Sequence, residues 1–156
     1  MKDMNIVLTL IEDTDIKEIC AWETYPKKFA KLDYALRKGG WLDEYHNRPN
    51  TKIFSAKYEN ELIGFSILSD DIEGTEFRIA LKPNKIGQGF GRAIAVATMN
   101  EAFEKMGKNS IYLIVRLNNL PAIKLYEQIG FVSKYELNKD IQGKTIRFLK
   151  MECIKE

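Results

Sequence analysis

Residues 77–94 read FRIALKPNKIGQGFGRAI. Thr75–Leu81 is a β-branched and apolar run that Pro83 stops. From Gly89 onward, apolar side chains recur at 90, 94, 97, 99, 103 and 106, until Gly107. The segment therefore predicts a strand, a glycine-rich turn and a helix over Gly89–Met106. Gly87, Gly89 and Gly91 let the backbone come close to a ligand without Cβ clashes. The free N–H groups that open a helix, aided by its dipole, suit a phosphate or pyrophosphate. Lys82, Lys85 and Arg92 add positive charge nearby. A glycine turn with nothing bound is the plainer alternative. The P-loop string Gly-x4-Gly-Lys-Ser/Thr is absent, and Arg92 falls where a dinucleotide fingerprint counted from Gly87 needs its third glycine.

The flanking sequence supplies the rest of the fold. Downstream, Ser110–Val115 reads as a buried strand and Leu120–Ile129 as a helix with Pro121 in its first turn and Gly130 after it. Phe131–Leu137 and Thr145–Ile154 are expected strands joined by the polar turn Asn138–Gly143. Upstream, Lys52–Tyr58 and Glu61–Ser69 form a hairpin about Glu59–Asn60. Asn5–Thr9 is a first strand. Asp13 and Thr14 offer N-cap oxygens to a helix that puts Ile16, Ile19 and Cys20 on one face. Pro26 opens a second helix, with Phe29, Leu32 and Leu36 along one side, and Gly39–Gly40 ends it. Residues 41–50 read as a helical turn and a loop. The order β α α β β β α β α β β implies an α/β (α+β) layered domain with mixed strand directions. At 156 residues, one domain over 1–156 is expected.

Composition narrows the function. Hydrophobic residues at 45% and charged residues at 29% exclude a disordered or collagen-like chain, and a net charge of +2 gives no argument for nucleic acid. The charge is unevenly spread: residues 1–76 carry 10 basic and 15 acidic side chains, residues 77–156 carry 14 and 7. An anionic ligand for the second half and a cationic one for the first would follow, unless this is ordinary surface variation. Cys20 and Cys153 do not make a disulfide framework, and His46 stands alone, so no metal site is expected. The opening MKDMNIVLTLIEDTD is too short and too acidic for a signal or a membrane span, and a cytoplasmic protein is expected.

The glycine segment resembles the coenzyme A signature of the GNAT superfamily of N-acetyltransferases, Arg/Gln-x-x-Gly-x-Gly/Ala. Gly89 and Gly91 match its two small positions, while Ile86 departs from its first. Residues 118–131, NNLPAIKLYEQIGF, resemble the second hallmark, Asn-x-x-Ala-x-x-x-Tyr-x-x-x-Gly-Phe, with Asn119, Ala122, Tyr126, Gly130 and Phe131 in register. Ala122 and Tyr126 share one helix face. A helix with a core tyrosine and a glycine cap explains the second segment alone; both segments in this order, with a strand between, are more specific.

The resemblance implies a three-layer domain with a splayed central sheet, in which Thr75–Leu81 and Ser110–Val115 are parallel neighbours. Acetyl-CoA would be co-substrate, its pantetheine arm pairing with backbone at Ile79, Ala80 and Leu81. Ile86, Gly87, Gln88, Gly89, Phe90, Gly91 and Arg92 would hold the pyrophosphate. Asn118, Asn119, Ala122 and Tyr126 would line the coenzyme. An amine must lose its proton before attack, an N–H near Leu81 would stabilise the tetrahedral oxyanion, and Tyr126 would protonate the leaving thiolate. Family members place an acid where this chain has Thr75 or Ile114. Glu76 is the expected base, with Glu73 nearby, and a solvated strand end is the alternative for both.

The acceptor would enter beside Trp22, Tyr25, Tyr34, Trp41 and Tyr45, among Glu23, Asp33, Asp43 and Glu44, a combination that suits a cation. A small cationic amine is the expected acceptor; a protein N-terminus or lysine is the alternative. These aromatics could equally be core or interface residues. Two other functions stay open: a non-catalytic acyl-CoA sensor, and a regulator that puts ATP or NAD on the glycine turn. No nucleic-acid or membrane partner is expected, and the choice between monomer and homodimer stays open.

Overall fold

In this computed structural model, which describes residues 4–36 and 40–156 and leaves aside the side chains of 31–34, the strands are β1 (Val7–Leu10), β2 (Thr51–Tyr58), β3 (Glu61–Asp71), β4 (Gly74–Leu81), β5 (Ser110–Arg116), β6 (Val132–Ile141) and β7 (Lys144–Ile154). They make a seven-stranded sheet in the order β1-β2-β3-β4-β5-β7-β6. Every neighbouring pair is antiparallel except β4 and β5. The helices are α1 (Asp13–Cys20), a 3₁₀ segment (Lys27–Leu36), α2 (Trp41–Tyr45), α3 (Phe90–Asn100) and α4 (Leu120–Gln128).

Strand residues alternate between two apolar layers. On one face, Ile53, Leu62, Phe65, Ile67 and Ala80 pack with Ile19, Trp22, Leu36, Leu42 and Tyr45 of the N-terminal helices. On the other, Phe77, Ile111, Leu113, Phe131 and Met151 pack with Ala95, Phe103, Ala122 and Tyr126. This is the expected helix–sheet–helix layering with mixed strand directions. Gly64 makes one close approach possible: a Cβ there would lie 2.5 Å from the Ala80 carbonyl oxygen and 2.8 Å from Ile94 Cδ1. Among the described residues no helix is long and apolar enough to cross a membrane.

Several expectations are corrected. The first strand begins at Val7 rather than Asn5. Glu12, not Asp13 or Thr14, is the N-cap of α1, and its N–H donates to Asp15 Oδ2 at 3.1 Å. Asp15 is buried beneath α1 because Ser55 also donates to it at 2.7 Å, while Cys20 is exposed. The helix after Pro26 is a kinked 3₁₀ segment; the Gly39 stop lies outside the described residues. The long helix after Gly89 changes at Glu101–Lys105 into a π-turn, with Phe103 C=O accepting from Lys155 Nζ. The last hairpin turns over Gln142–Gly143, so β6 and β7 are longer than the polar run Asn138–Gly143 implied.

Candidate functional site

Backbone direction defines an opening in the sheet. Lys82 N–H donates to Ile63 C=O, so Lys82 and Ile63 face each other as a hydrogen-bonded antiparallel pair. Such pairs alternate, which commits the polar groups of Ala80 and Arg78 to β3 and turns those of Ile79 and Leu81 toward β5. There β4 meets β5 at Glu76↔Tyr112, and no further pairing between the two strands occurs among the described residues. Beyond that bridge β5 continues to Arg116 paired to β7 instead. The Leu81 C=O accepts from the Tyr25 hydroxyl at 2.5 Å. Ile79 N–H, Ile79 C=O and Leu81 N–H thus border the gap, whereas Ala80 contributes only a buried methyl. Of the three strand residues the sequence put against a pantetheine arm, Ala80 is turned away.

At the end of β4 the turn 86–89 leads into α3. Gly87 and Gly89 sit at φ +81° and +88°, the left-handed region that glycine enters without strain. A Cβ at Gly87 or Gly91 would meet nothing within 4 Å. The first described bond of α3 runs from Ala93 N–H to Gly89 C=O, which leaves the Phe90, Gly91 and Arg92 amides without a helical partner. Ile86 and Phe90 point their side chains inward, Phe90 edge-on to Tyr58 at 5.2 Å between centroids, and so anchor the turn rather than face a ligand. Gln88 holds the turn through Nε2 to Asn84 C=O. Arg92 is exposed. Lys82 and Lys85 both pair with Glu61, at 3.2 and 3.1 Å, so part of the charge the sequence assigned to the turn is already neutralised. This exposed cradle of amides fits a diphosphate group.

Tyr126 lies on the inner face of α4 with Ala122. Its ring meets Phe77 of β4 edge-on at 6.3 Å and Phe131 at 5.6 Å. Among the described residues its hydroxyl has no hydrogen-bond partner. Burial pushes its pKa up to about 12, against a smaller pull from the Arg78 charge, so the phenol keeps its proton at neutral pH. Asn119 Oδ1 accepts from Ala122 N–H at 3.4 Å and is the N-cap of α4. Asn118 lines an open cavity of about 420 Å³ with Arg116, Leu117 and Arg147.

Glu76 is 6% exposed on the opposite face. Tyr45 Oη donates to its Oε1 at 2.6 Å, and Arg78 Nη2 donates to its Oε2 at 3.0 Å. Arg78 Nε also donates to Tyr45 Oη at 2.9 Å. The guanidinium lies over the Trp41 ring at 4.8 Å and the Tyr45 ring at 5.4 Å. Burial disfavours the Arg78 charge, but Glu76, Tyr45 and Glu44 together more than offset this and hold its pKa above the usual value. Burial, reinforced by Glu76, raises the Tyr45 phenol well above its ordinary range. Glu76 is therefore not a solvated strand end. Thr75 donates to Asp70 Oδ1 at 2.6 Å, and Ile114 stands across the ladder from Lys150.

Lys150 Nζ lies over the Tyr112 ring at 4.5 Å and reaches Glu73 at 3.2 Å, and Tyr112 donates to Asp71. Trp22, Tyr25 and Tyr45 are core residues. The side chains of Asp33 and Tyr34 lie outside the described residues. Sequence reasoning missed Arg78, although its place two residues from Glu76 on a strand put both on one face. The Tyr25 contact with Leu81 left no local signal. Among the described residues, no group of three or more His, Cys, Asp or Glu could hold a metal ion.

Comparison with known proteins gives a consistent answer. The spermidine N(1)-acetyltransferase of Vibrio cholerae is 36% identical over 62 residues, 40% of this chain and 36% of that protein. The ribosomal protein bS18-alanine N-acetyltransferase of Escherichia coli is 44% identical over 59 residues, and the match spans 38% of this chain and 39% of that protein. The chain thus matches well under half the length of these relatives. Acetyltransferase PseH of Campylobacter jejuni is 27% identical over 140 residues, 85% of each chain. In fold, the chain is similar to a solved chimera of the spermidine N-acetyltransferase SpeG from Vibrio cholerae and hSSAT, with a TM-score of 0.75, 21% identity and coverage of 96% of this chain and 95% of that one. The model of the acetyltransferase (GNAT) family matches residues 16–131, and the chain belongs to that family.

Proposed function

We propose that this chain transfers the acetyl group of acetyl-CoA to a primary amine. The observation that carries the reading is the parted β4–β5 ladder, with outward Ile79 and Leu81 backbone groups on one side and the unpartnered Tyr126 phenol packed against β4. The amides of the turn Ile86–Arg92 take the pyrophosphate. Ile79 and Leu81 pair with the pantetheine arm, and Asn118 and Ala122 lie along it. The amine nitrogen attacks the thioester carbonyl carbon, and an N–H near Leu81 donates to the developing oxyanion. The C–S bond breaks, and Tyr126 gives its proton to the departing sulfur. The proton lost by the amine goes to Glu76, through the Tyr45 hydroxyl or a water that replaces it, and solvent returns a proton to Tyr126.

A small cationic amine is the proposed acceptor. The excess of acidic side chains in residues 1–76, 15 against 10 basic ones, supports it, with Asp71 placed against Tyr112 at the β4–β5 seam. The chemistry is tested by a mass-shift screen of amines and peptides with acetyl-CoA, with release of the CoA thiol followed in parallel. Amine-dependent thiol release, lost in Tyr126→Phe, is the expected result. A second reading, a non-catalytic acyl-CoA sensor, draws on Glu76 having both oxygens engaged. Tight acetyl-CoA binding with no thiol release for any amine would establish the sensor in its place.

A further inference from the structure

We propose that Arg78 selects the acceptor by donating to an oxygen on the carbon next to the reacting amine, so that the preferred substrates are α-amino carbonyl compounds rather than oxygen-free alkylamines. The inference rests on the acetyl-transfer reading above and narrows it, since an α-amino amide is itself a small cation.

Arginine has five N–H donors in a fixed fork. A guanidinium paired with a carboxylate frequently meets it with two parallel bonds. Here Oε1 of Glu76 is turned to Tyr45 instead, and Arg78 approaches through Nη2 alone while Nε is held by Tyr45. The two N–H groups of Nη1 have no partner among the described residues. They are not sealed in the core either, because among the described residues the buried side-chain polar atom left without a partner is Trp22 Nε1. The Arg78 side chain keeps 16% of its surface exposed against 7% for Glu76. Stacking on Trp41 and Tyr45 fixes the plane of the fork, and with it the direction of the open edge.

Position makes this edge relevant to the reaction. Arg78 follows Phe77, the strand residue that touches the Tyr126 ring, and precedes Ile79, whose backbone borders the gap. Its charge is also felt at the Tyr126 phenol. An amine placed to attack a thioester in that gap from the Glu76 side brings its neighbouring carbon to Arg78. A carbonyl or carboxylate oxygen on that carbon completes the fork, whereas an alkylamine leaves a desolvated guanidinium edge unpaired. A site built around a hydrogen bond discriminates strongly against an analogue that lacks the partner.

The test compares alaninamide, alanine, an alanine-initiated tripeptide and 2-aminobutane as acceptors, with kcat/KM expressed per neutral amine. The wild type is expected to favour alaninamide over 2-aminobutane by about tenfold to a hundredfold. In Arg78→Met and Arg78→Lys the ratio should collapse to within about threefold, chiefly through a higher KM for alaninamide. Arg78→Lys retains a cation for Glu76, and its acetyl-CoA-induced thermal shift reports that it is folded. Alanine separates a free carboxylate from an amide, and the tripeptide reports on peptide N-termini. Equal use of alaninamide and 2-aminobutane by the wild type would overturn the inference while leaving acetyl transfer intact, as would Arg78→Lys losing both substrates in equal measure. Failure with every amine would instead count against acetyl transfer itself.

Discussion

Tyr126 and Glu76 are set in place by different forces, and that difference can be measured. Burial keeps the Tyr126 phenol neutral up to a pKa of about 12. Its folded value therefore lies above that of an exposed phenol, near ~10. The stability this gives is complete below pH ~10 and is lost as pH rises toward 12. As an acid it should remain competent over the whole range in which an amine deprotonates, so kcat should show no alkaline limb from this group until about pH 12. Tyr126→Phe should lower kcat by ~10²- to 10⁴-fold while the calorimetric acetyl-CoA affinity changes by less than about threefold. A variant that loses affinity and keeps kcat would remove Tyr126 from the chemistry. Glu76 instead sits against a full positive charge, 3.0 Å from Arg78 Nη2. Glu76→Gln keeps its shape but strands that charge, and should cost about 3 kcal/mol in a urea melt. If Glu76 also accepts the amine's proton, kcat should fall in this variant while acetyl-CoA affinity is kept, and an unchanged kcat would leave it with the structural role alone.

At the level of strands and turns, the gap depends on backbone fit as much as on the residues that face it. Gly64 lets β3 and α3 close on β4: an added methyl would press on Ala80 C=O at 2.5 Å and Ile94 Cδ1 at 2.8 Å. Gly64→Ala should therefore destabilise the fold by about 1–3 kcal/mol, read as a lower urea midpoint with an unchanged slope. Gly87 has open space around it, and only its φ of +81° resists a side chain. Gly87→Ala should cost about 1 kcal/mol and weaken acetyl-CoA binding more than it weakens the fold. The glycine turn was legible in sequence because its signal is local, and so was the face shared by Ala122 and Tyr126. Asn119 was harder to read: an asparagine ahead of Pro121 is a cap signal as much as a ligand signal, and here Asn119 caps α4. The burial of Glu76 and the Tyr25 bond to Leu81 could not be read, since their partners lie 31 and 56 residues away. The last hairpin was misjudged because polar residues at an exposed edge strand look like a turn.

Over the whole molecule, the cleft divides the sheet into two blocks, β1 to β4 and β5-β7-β6, which meet at Glu76↔Tyr112. One apolar layer runs across both blocks, with Leu68 and Phe77 packed together with Ile111, Leu113 and Met151, and polar contacts cross the seam as well, among them Tyr112 to Asp71, Lys150 to Glu73 and Lys108 to Asp70. A ligand that lies along the gap and pairs with Ile79 and Leu81 supplies the missing rungs, so it should tie the two blocks together as well as bind. At a concentration 100 times its Kd, acetyl-CoA should add ~2.7 kcal/mol to the unfolding free energy and raise the melting temperature in step with concentration. Free CoA should do the same, because it brings the same diphosphate and pantetheine. ATP and NAD carry phosphates for the turn but no pantetheine arm for the gap, and should shift the melt by far less. Hydrogen exchange locates the effect: the amides of Ile79 and Leu81 should slow on adding acetyl-CoA, while that of Ala80, already bonded to β3, should change little. Equal protection by ATP, or a melt that acetyl-CoA leaves unmoved, would mean that the opening between β4 and β5 is not where the coenzyme goes.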